Sequence, residues 1–241
     1  MLGKADVLIN CVGQIEATAG SSFHHIHVAL TKQIIANRAK PGNPRIIQIS
    51  ALGAALTHDV EFLRTKGVAD ELLLQQLNTA VVRPSIVCTH RTMIVKKLLM
   101  LANFSRFTFG IIPVPKGFLK TKIQPIMPQD LVELVHNVCV SGQVRLAEGV
   151  GPEALTFGEI IQLVGTYTKR SFKVVEVSRA ASDLVVKSIL SSLFPRVINA
   201  QQYQLLFHDN VADVKSCTQL LGRNPTSCRE FFETEFSQSN K

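Results

Sequence analysis

Polar residues stand at the ends of three short apolar runs in this sequence, where a parallel sheet would form a ligand site. Asn10 ends the first run, Ser50 the second, and Arg83-Pro84-Ser85 the third. The carboxyl ends of parallel strands lie at one edge of the sheet, and ligands bind in the crevice beyond that edge. We therefore expect an amide, two hydroxyls and a guanidinium to converge on one crevice, where they could form hydrogen bonds with a ligand.

Clustered histidines and strand-end cysteines are two other candidates for chemistry. His24, His25 and His27 could bind a metal, but only His24 and His27 would share a helix face, and no acid or cysteine stands nearby. Surface or packing roles are therefore favoured for these histidines. Cys11 and Cys88 fall at strand ends, where a reactive thiol or a small buried apolar side chain would fit; the buried role is favoured.

A glycine-rich stretch at residues 149–154 matches the G-x-G-x-x-A pattern of dinucleotide-binding loops, with Glu176 further along as a ribose-binding acid would be. Two features argue against a phosphate site there. Pro152 removes a backbone N–H, and Glu153 adds negative charge beside the phosphate position. The following helix also begins only near Thr156, after the last small residue, so we reject this motif.

The elements that must position the strand-end residues follow a regular order. Apolar strands over residues 5–11, 44–50 and 79–84 recur at intervals of about 35 residues. A helix from Ser21 or Ser22 to about Ala39 fills the first interval, and one over residues 59–77 fills the second. Strand–helix–strand units of this length predict a parallel sheet with right-handed crossovers.

The second half of the chain is less regular. Pro128 and Asp130 begin a helix, with Asp130 expected to serve that helix's own N-terminus. Strands are predicted over 144–147 and 172–177. Thr156-x-x-Glu159 and Ser227-x-x-Glu230 are capping boxes that open later helices. This half is therefore predicted to form a smaller, mainly helical lobe over the crevice.

Composition indicates an ordinary globular protein. The chain has 241 residues, of which 46% are hydrophobic, enough for one sizeable core. No apolar stretch approaches the roughly 18 residues that a membrane-spanning helix needs, and the first residues do not resemble a secretory signal. The five cysteines form no C-x-x-C pair, which favours a reducing compartment.

The net charge of +8 is concentrated in one segment. No acidic residue stands between Glu71 and Asp130. That interval contains the basic residues Arg83, Arg91, Lys96, Lys97, Arg106, Lys116, Lys120 and Lys122. A solvated basic face is one interpretation; the other is a surface for an acidic protein partner, an anionic membrane surface or a phosphorylated ligand. An apolar, basic helix predicted over 93–104 would either lie on a membrane or pack on the sheet. Nucleic acid is disfavoured, because no binding motif is present.

A series of motifs in fixed order supports a family resemblance over nearly the whole chain. The motifs are Val7-Leu8-Ile9-Asn10-Cys11-Val12-Gly13, Ile47-Gln48-Ile49-Ser50-Ala51-Leu52-Gly53-Ala54, Arg64-Thr65-Lys66, Arg83-Pro84-Ser85-Ile86-Val87, Gln124-Pro125-Ile126-Met127-Pro128-Gln129-Asp130-Leu131 and Glu148-Gly149-Val150-Gly151-Pro152-Glu153-Ala154-Leu155-Thr156-Phe157. The series resembles the atypical (extended) short-chain dehydrogenase/reductases, and within them the branch that contains the nucleotide-binding accessory subunit of respiratory complex I and its bacterial relatives. The resemblance thins over residues 91–121 and 178–203.

The resemblance implies an α/β fold, a Rossmann-like doubly wound parallel sheet with NAD or NADP as cofactor. It assigns cofactor contacts to Asn10, Val12, Gly13, Lys66, Pro84, Ser85 and Ile86. Ser50 would hydrogen-bond a substrate oxygen, and Lys66 would hold the nicotinamide ribose. No metal is implied.

Two departures from the family pattern set expectations for function. The family's catalytic tyrosine is replaced by Phe62, and a phenyl ring cannot transfer a proton. Ser50 and Lys66 would then be vestigial catalytic residues. The glycine-rich phosphate loop that normally precedes the first strand is absent, because only Met1-Leu2-Gly3 come before that strand's segment. We therefore expect an N-terminally truncated domain: a fragment, a wrongly placed start or half of a two-part assembly.

These features leave two functions open. The favoured one is a non-catalytic or scaffold protein similar to the complex I accessory subunit; the alternative is an NAD(P)H-dependent oxidoreductase or epimerase whose full-length form carries the missing loop. The expected domain organisation is a Rossmann core over 1–90, a basic insertion over 91–122, a return to the core over 123–147 and a C-terminal lobe over 148–241. The expected compartment is the mitochondrial matrix side or a bacterial cytoplasm, with peripheral membrane attachment left open.

Overall fold

The computed structural model describes residues 5–15, 22–38, 44–89, 109–167, 169, 173–178, 180 and 200–231. Half of the predicted basic segment lies outside these ranges, namely Arg91, Lys96, Lys97 and Arg106, together with the predicted helix over 93–104. The three lysines of the segment that are described, Lys116, Lys120 and Lys122, are exposed.

A four-stranded parallel sheet forms the core, in the order β1 (Val7–Asn10), β2 (Arg45–Ile49), β3 (Thr79–Pro84) and β6 (Leu146–Gly149). Ile46 of the second strand is fully buried. Apolar, β-branched runs of this kind suit strands that are covered on both faces. The predicted α/β class and the three predicted strands are therefore confirmed, and the strand-end residues meet at one edge of the sheet.

The first strand is the outer strand of this sheet. It pairs with β2 alone in the described part of the chain. Its residues Val7 and Ile9 are 36% and 46% exposed, whereas the inner strands are almost fully covered. The unpaired backbone groups of an edge strand can accept another strand.

Helices connect these strands. A π-helical stretch at His24–Ala29 continues as α1 (Leu30–Ala36), and α2 spans Glu61–Leu74. The next core helix, α3, spans Pro128–Ser141. It begins with proline at its first position, as predicted, and ends at Gly142 in the left-handed conformation (φ 67°). The first two helices are each a few residues shorter than the sequence predicted.

The smaller lobe contains two short sheets and helices. Strand β4 (Ile111–Pro115) pairs in parallel with β8 (Lys173–Val177), and β5 (Lys122–Ile123) pairs antiparallel with β7 (Leu155–Thr156). The helices of this part are α4 (Phe157–Tyr167) and α5 (Ala200–Leu205). The predicted capping box is confirmed: the Glu159 N–H donates to Thr156 Oγ1 at 3.1 Å, and the Thr156 N–H donates to Glu159 Oε2 at 2.7 Å.

A late helix returns from the lobe to the core sheet. Helix α6 (Val214–Leu221) packs on α3 and β6, and its Cys217 is fully buried in the same cluster as Leu134. The proposed boundaries of the lobe, 148–241, stay a prediction, but this helix contributes to the core. No helix in the described ranges is long and apolar enough to cross a membrane.

Asp130 lies in the first turn of α3, where an acidic side chain is favourable at the N-terminus of its own helix, as predicted. Its carboxylate is fully buried and also accepts hydrogen bonds from Arg223 Nη2 at 2.7 Å and from the Thr226 N–H at 2.6 Å. The carboxylate therefore also fixes the segment that follows α6 against α3.

Candidate functional site

A buried hydrogen-bond network joins the carboxyl ends of the strands; we call Asn10, Gln48, Ser50, Asp70 and Arg83 the strand-end network. Asn10 Nδ2 donates to Gln48 Oε1 at 3.1 Å, and Gln48 Nε2 donates to Asp70 Oδ1 at 3.2 Å. Ser50 Oγ donates to Asp70 Oδ2 at 2.8 Å, and Arg83 Nε donates to the same oxygen at 2.9 Å. The network therefore extends across three strands and ends on one carboxylate of α2.

Asp70 is the centre of this network and is completely inaccessible to solvent. Burial raises the pKa of its carboxyl group, and the Arg83 guanidinium and the hydrogen bonds from Ser50 and Gln48 oppose that rise. A carboxylate with no contact with water depends on these partners for its charge. Removing any of them leaves the carboxylate less well compensated.

The network determines which partners the polar groups of Ser50 and Arg83 bind in this structure. Both were placed at the crevice edge from the sequence, and both lie there, but their polar groups point to Asp70. Arg83, counted as part of the basic segment, is therefore neutralised by an ion pair and does not add to a basic surface. Asp70 was missed, although its position four residues after Lys66 places both on one face of α2.

Lys66 lies under the loop that follows β1. Its Nζ donates to the carbonyl of Ile49 at 3.1 Å and to that of Val12 at 3.5 Å, and the residue is only 5% exposed. Burial lowers the pKa of its amine, and the carboxylate of Asp70 partly opposes the shift. A Cβ on Gly13 would lie 2.9 Å from Nζ, so glycine at this position leaves room for the lysine.

Phe62 occupies the tyrosine position of the family pattern, within an aromatic cluster. Its ring centroid lies 6.2 Å from that of Phe23 and 5.6 Å from that of His27, edge to face in both cases. His27 is buried, and its Nδ1 lies 2.8 Å from Thr65 Oγ1. Burial, aided by the nearby charge of Lys66, lowers the pKa of His27 to about 4, with a smaller opposing effect from the Gln14 backbone. His27 is therefore neutral at pH 7, in accordance with the packing role predicted for it.

The opposite side of the crevice is fastened to the lobe by Asn210; we call its contacts with Ser85 and Leu52 the Asn210 clamp. Ser85 Oγ donates to Asn210 Oδ1 at 2.6 Å, and Asn210 Nδ2 donates to the carbonyl of Leu52 at 3.1 Å. The Leu52 N–H in turn donates to the carbonyl of Pro84 at 2.9 Å. Asn210 was missed from the sequence, because no motif marks it.

The glycine-rich stretch at 149–154 has a structural role. A Cβ on Gly151 would lie 2.1 Å from the Pro125 carbonyl oxygen, so the loop packs directly against neighbouring backbone. Glu153 accepts a hydrogen bond from Ser227 Oγ at 2.7 Å and forms an ion pair with Arg229 at 3.2 Å. The loop therefore joins two parts of the chain, in accordance with its rejection as a phosphate site.

The residues present fit the nicotinamide ribose of a dinucleotide better than its pyrophosphate. Among the described residues, Lys66 donates to two backbone carbonyls, which leaves its third N–H for a ribose hydroxyl. Gly13 lets the backbone come close to that amine. No described loop offers a row of free N–H groups at a helix N-terminus for a pyrophosphate; the loop at 149–154 is packed against protein. The site therefore fits a nicotinamide ribose, and none of the described loops fits the pyrophosphate.

Several solved structures share this fold, and two of them carry the names of enzymes of nucleotide sugars. A nucleoside-diphosphate-sugar epimerase from Staphylococcus aureus superposes with a TM-score of 0.68 at 13% identity, covering 96% of this chain and 77% of the epimerase. A dTDP-glucose 4,6-dehydratase from Bacillus anthracis, solved in complex with NAD, gives 0.62 at 14% identity, covering 98% and 72%. The fold is therefore that of the Rossmann-like epimerases and dehydratases.

Sequence comparison gives more specific relatives. The chain is 28% identical over 229 residues to NADH dehydrogenase [ubiquinone] 1 alpha subcomplex subunit 9, mitochondrial, of Arabidopsis thaliana, covering 88% of this chain and 54% of that protein. It is 22% identical over 231 residues to the mitochondrial 40 kDa subunit of NADH-ubiquinone oxidoreductase of Neurospora crassa, covering 94% and 59%. No family model matches. The resemblance inferred from the motif series is thus confirmed, and the chain spans a little over half the length of these curated relatives.

Proposed function

We propose that this chain acts as a non-catalytic accessory protein of a respiratory complex, built on an NAD(P)-binding fold. The observation that carries the proposal is the state of the catalytic positions. Phe62 is packed against Phe23 and His27, and the Ser50 hydroxyl is committed to buried Asp70. Neither group is arranged to exchange a proton with a substrate.

The loss of the phenol has no evident replacement in the crevice. The chain has two tyrosines, Tyr167 and Tyr203. Tyr167 ends α4, and the ring of Tyr203 packs edge to face against Phe207, so both belong to the lobe. General acid catalysis needs the donor within hydrogen-bond distance of the reacting oxygen. A scaffold role does not need that donor, and the names of the two mitochondrial relatives support this role.

Nucleotide binding could persist without catalysis. Asn10, Val12, Gly13 and Lys66 would line one side of a nicotinamide ribose, and Pro84, Ser85 and Ile86 the other. The cofactor, NAD or NADP, would bind weakly to this chain, because no described loop is arranged to hold the phosphates. The Lys66 amine, whose third N–H has no partner in the described part of the chain, would supply the main polar contact.

The relatives also support a location and a partner. Both carry mitochondrial names, so the matrix side of a respiratory complex is the compartment we propose. The exposed lysines Lys116, Lys120 and Lys122 would face an acidic protein surface or anionic lipid there. Glu176 and Asp209 accept hydrogen bonds from the backbone of this segment, so the surface is basic but not free of acids.

Cofactor titration and turnover assays test the proposal. NADH and NADPH are titrated by fluorescence into the wild type, Phe62→Tyr and Lys66→Ala, and oxidation is followed with a panel of carbonyl substrates. We expect no turnover from any of them, and the weak cofactor signal to fall in Lys66→Ala while Phe62→Tyr leaves it unchanged. Oxidation of NAD(P)H by the wild type would refute the scaffold proposal and favour the oxidoreductase or epimerase alternative.

A further inference from the structure

Two histidines and an aspartate from distant parts of the chain meet near the crevice; we call His58, Asp59 and His208 the His–Asp–His cluster. His58 and Asp59 lie in the loop between β2 and α2, and His208 follows α5. His58 Nδ1 lies 3.0 Å from Asp59 Oδ1, and His208 Nε2 lies 3.6 Å from Asp59 Oδ2. One ligand atom of each residue lies within 4.8 Å of the other two.

These separations are close to those of a zinc site. Zinc binds imidazole nitrogen and carboxylate oxygen at about 2.0–2.2 Å, which puts neighbouring ligand atoms of a tetrahedron about 3.3 Å apart. The 3.6 Å between His208 Nε2 and Asp59 Oδ2 is close to that value, and His58 Nδ1 lies 3.0 Å from the other oxygen of the same carboxylate. A small rotation of the Asp59 carboxylate toward His58 and a closer approach of the two imidazoles, whose ring centroids are 5.0 Å apart, would complete the geometry. Two histidines and one carboxylate leave a fourth position for water.

The hydrogen bonds around the cluster are compatible with a metal. The Val60 N–H is shared between His58 Nδ1 and Asp59 Oδ1, at 3.0 Å from each. If a metal takes the lone pair of Nδ1, Asp59 Oδ1 can keep that N–H, and Oδ2 stays available on the side of His208. The network therefore positions the aspartate without consuming the oxygen that the metal needs.

The surroundings hold the two loops in place and leave the cluster accessible. Asn210, two residues after His208, is fixed to Leu52 and Ser85 in the Asn210 clamp. The side chains of His58, His208 and Asp59 are 17%, 37% and 74% exposed, so an ion can enter from solvent. Arg64 Nη1 donates to the His58 carbonyl at 3.4 Å, on the backbone rather than on a ligand atom.

We propose that the His–Asp–His cluster is a Zn²⁺ site that fastens the loop after α5 to the loop before α2. Imidazole and carboxylate ligands suit zinc and other late first-row divalent ions, and disfavour Mg²⁺ and Ca²⁺, which prefer all-oxygen sets. The ion links a segment of the lobe to the core beside the crevice. This site is independent of the proposed scaffold function, because it uses none of the residues assigned to the cofactor.

Metal titration of the whole chain tests the site. Zn²⁺ is titrated calorimetrically, and Co²⁺ serves as a spectroscopic probe because tetrahedral Co²⁺ absorbs in the visible range. We expect one Zn²⁺ per chain with a Kd of about 10 μM or tighter, and visible Co²⁺ absorption that Zn²⁺ abolishes. His208→Ala and Asp59→Asn should each weaken Zn²⁺ binding by about tenfold or more. Both positions are partly or largely exposed, so the variants should fold.

His136→Ala is the matched control, because His136 is exposed on α3 and lies outside the cluster. It should leave both metal signals unchanged. Zn²⁺ should also raise the melting temperature of the wild type and not that of His208→Ala. Binding that is absent, or that survives His208→Ala and Asp59→Asn, would overturn the proposal.

Discussion

The strand-end network and the Asn210 clamp lie on two sides of the same crevice and use polar residues differently. In the strand-end network, three side chains donate hydrogen bonds to one carboxylate that has no contact with water. In the Asn210 clamp, neutral groups bridge two parts of the chain at partly buried positions. The difference shows that the positions typical of substrate chemistry have here become part of the buried core, whereas the lobe side keeps ordinary polar contacts.

The largest effect should come from removing the centre of the strand-end network. Asp70→Ala leaves the Arg83 guanidinium partly buried without its carboxylate, so we expect a loss of about 3–5 kcal/mol in the free energy of unfolding. Urea denaturation measures it. Glu71→Ala, at the exposed neighbouring position, is the control and should change stability by no more than about 0.5 kcal/mol. A loss from Asp70→Ala as small as that of the control would mean that the network contributes little.

A smaller effect should follow at the Asn210 clamp. Asn210→Ala removes two neutral hydrogen bonds, and we expect a loss of about 1–3 kcal/mol, below that of Asp70→Ala. Asn224→Ala changes an exposed asparagine and serves as the control. If Asn210→Ala costs as much as Asp70→Ala by denaturation, the contrast between the two sides of the crevice fails.

His27 should give the smallest effect and one that depends on pH. The pKa of His27 in the folded protein, about 4, lies below the ordinary histidine value of 6.5, so the unfolded chain takes up the proton first as pH falls. The stability contribution is therefore fully present above about pH 6.5 and is lost as pH falls toward about 4. His27→Leu should flatten the dependence of the free energy of unfolding on pH between about pH 6.5 and 4. His24→Ala, at an exposed position, should not. An unchanged slope in His27→Leu would assign the acid sensitivity to other groups, such as the carboxylates.

Much of the fold could be predicted from the sequence, because the strands are uninterrupted apolar runs and the helices between them carry ordinary start and stop signals. The placement of Ser50, Arg83 and Ser85 at one edge of the sheet followed from the parallel topology alone. What these side chains contact did not follow. Asp70 stands 20 residues from Ser50, and Asn210 stands 125 residues from Ser85. No local pattern links residues so far apart.

The surroundings of charged side chains were equally hard to predict from the sequence. Arg83 belongs by sequence to an interval without acids, and a count along the chain places it on a basic surface. In three dimensions its partner comes from a helix that precedes that interval. The position of Asp130 in the first turn of α3 was predicted, but its hydrogen-bond partners after α6 were not. Charge counts along a sequence describe a surface only where the side chains reach solvent.

The return of α6 to the core has a consequence for how the chain folds. Cys217 and Leu221 complete the layer beside β6 and α3, and β7, α4, β8 and α5 are synthesised between β6 and this helix. The core cannot close before this late helix has emerged from the ribosome. Contacts between parts so distant in sequence make folding slow, because a long loop must be ordered before they form. The sheet edge is therefore exposed to aggregation during synthesis for longer than in a domain whose core closes in chain order.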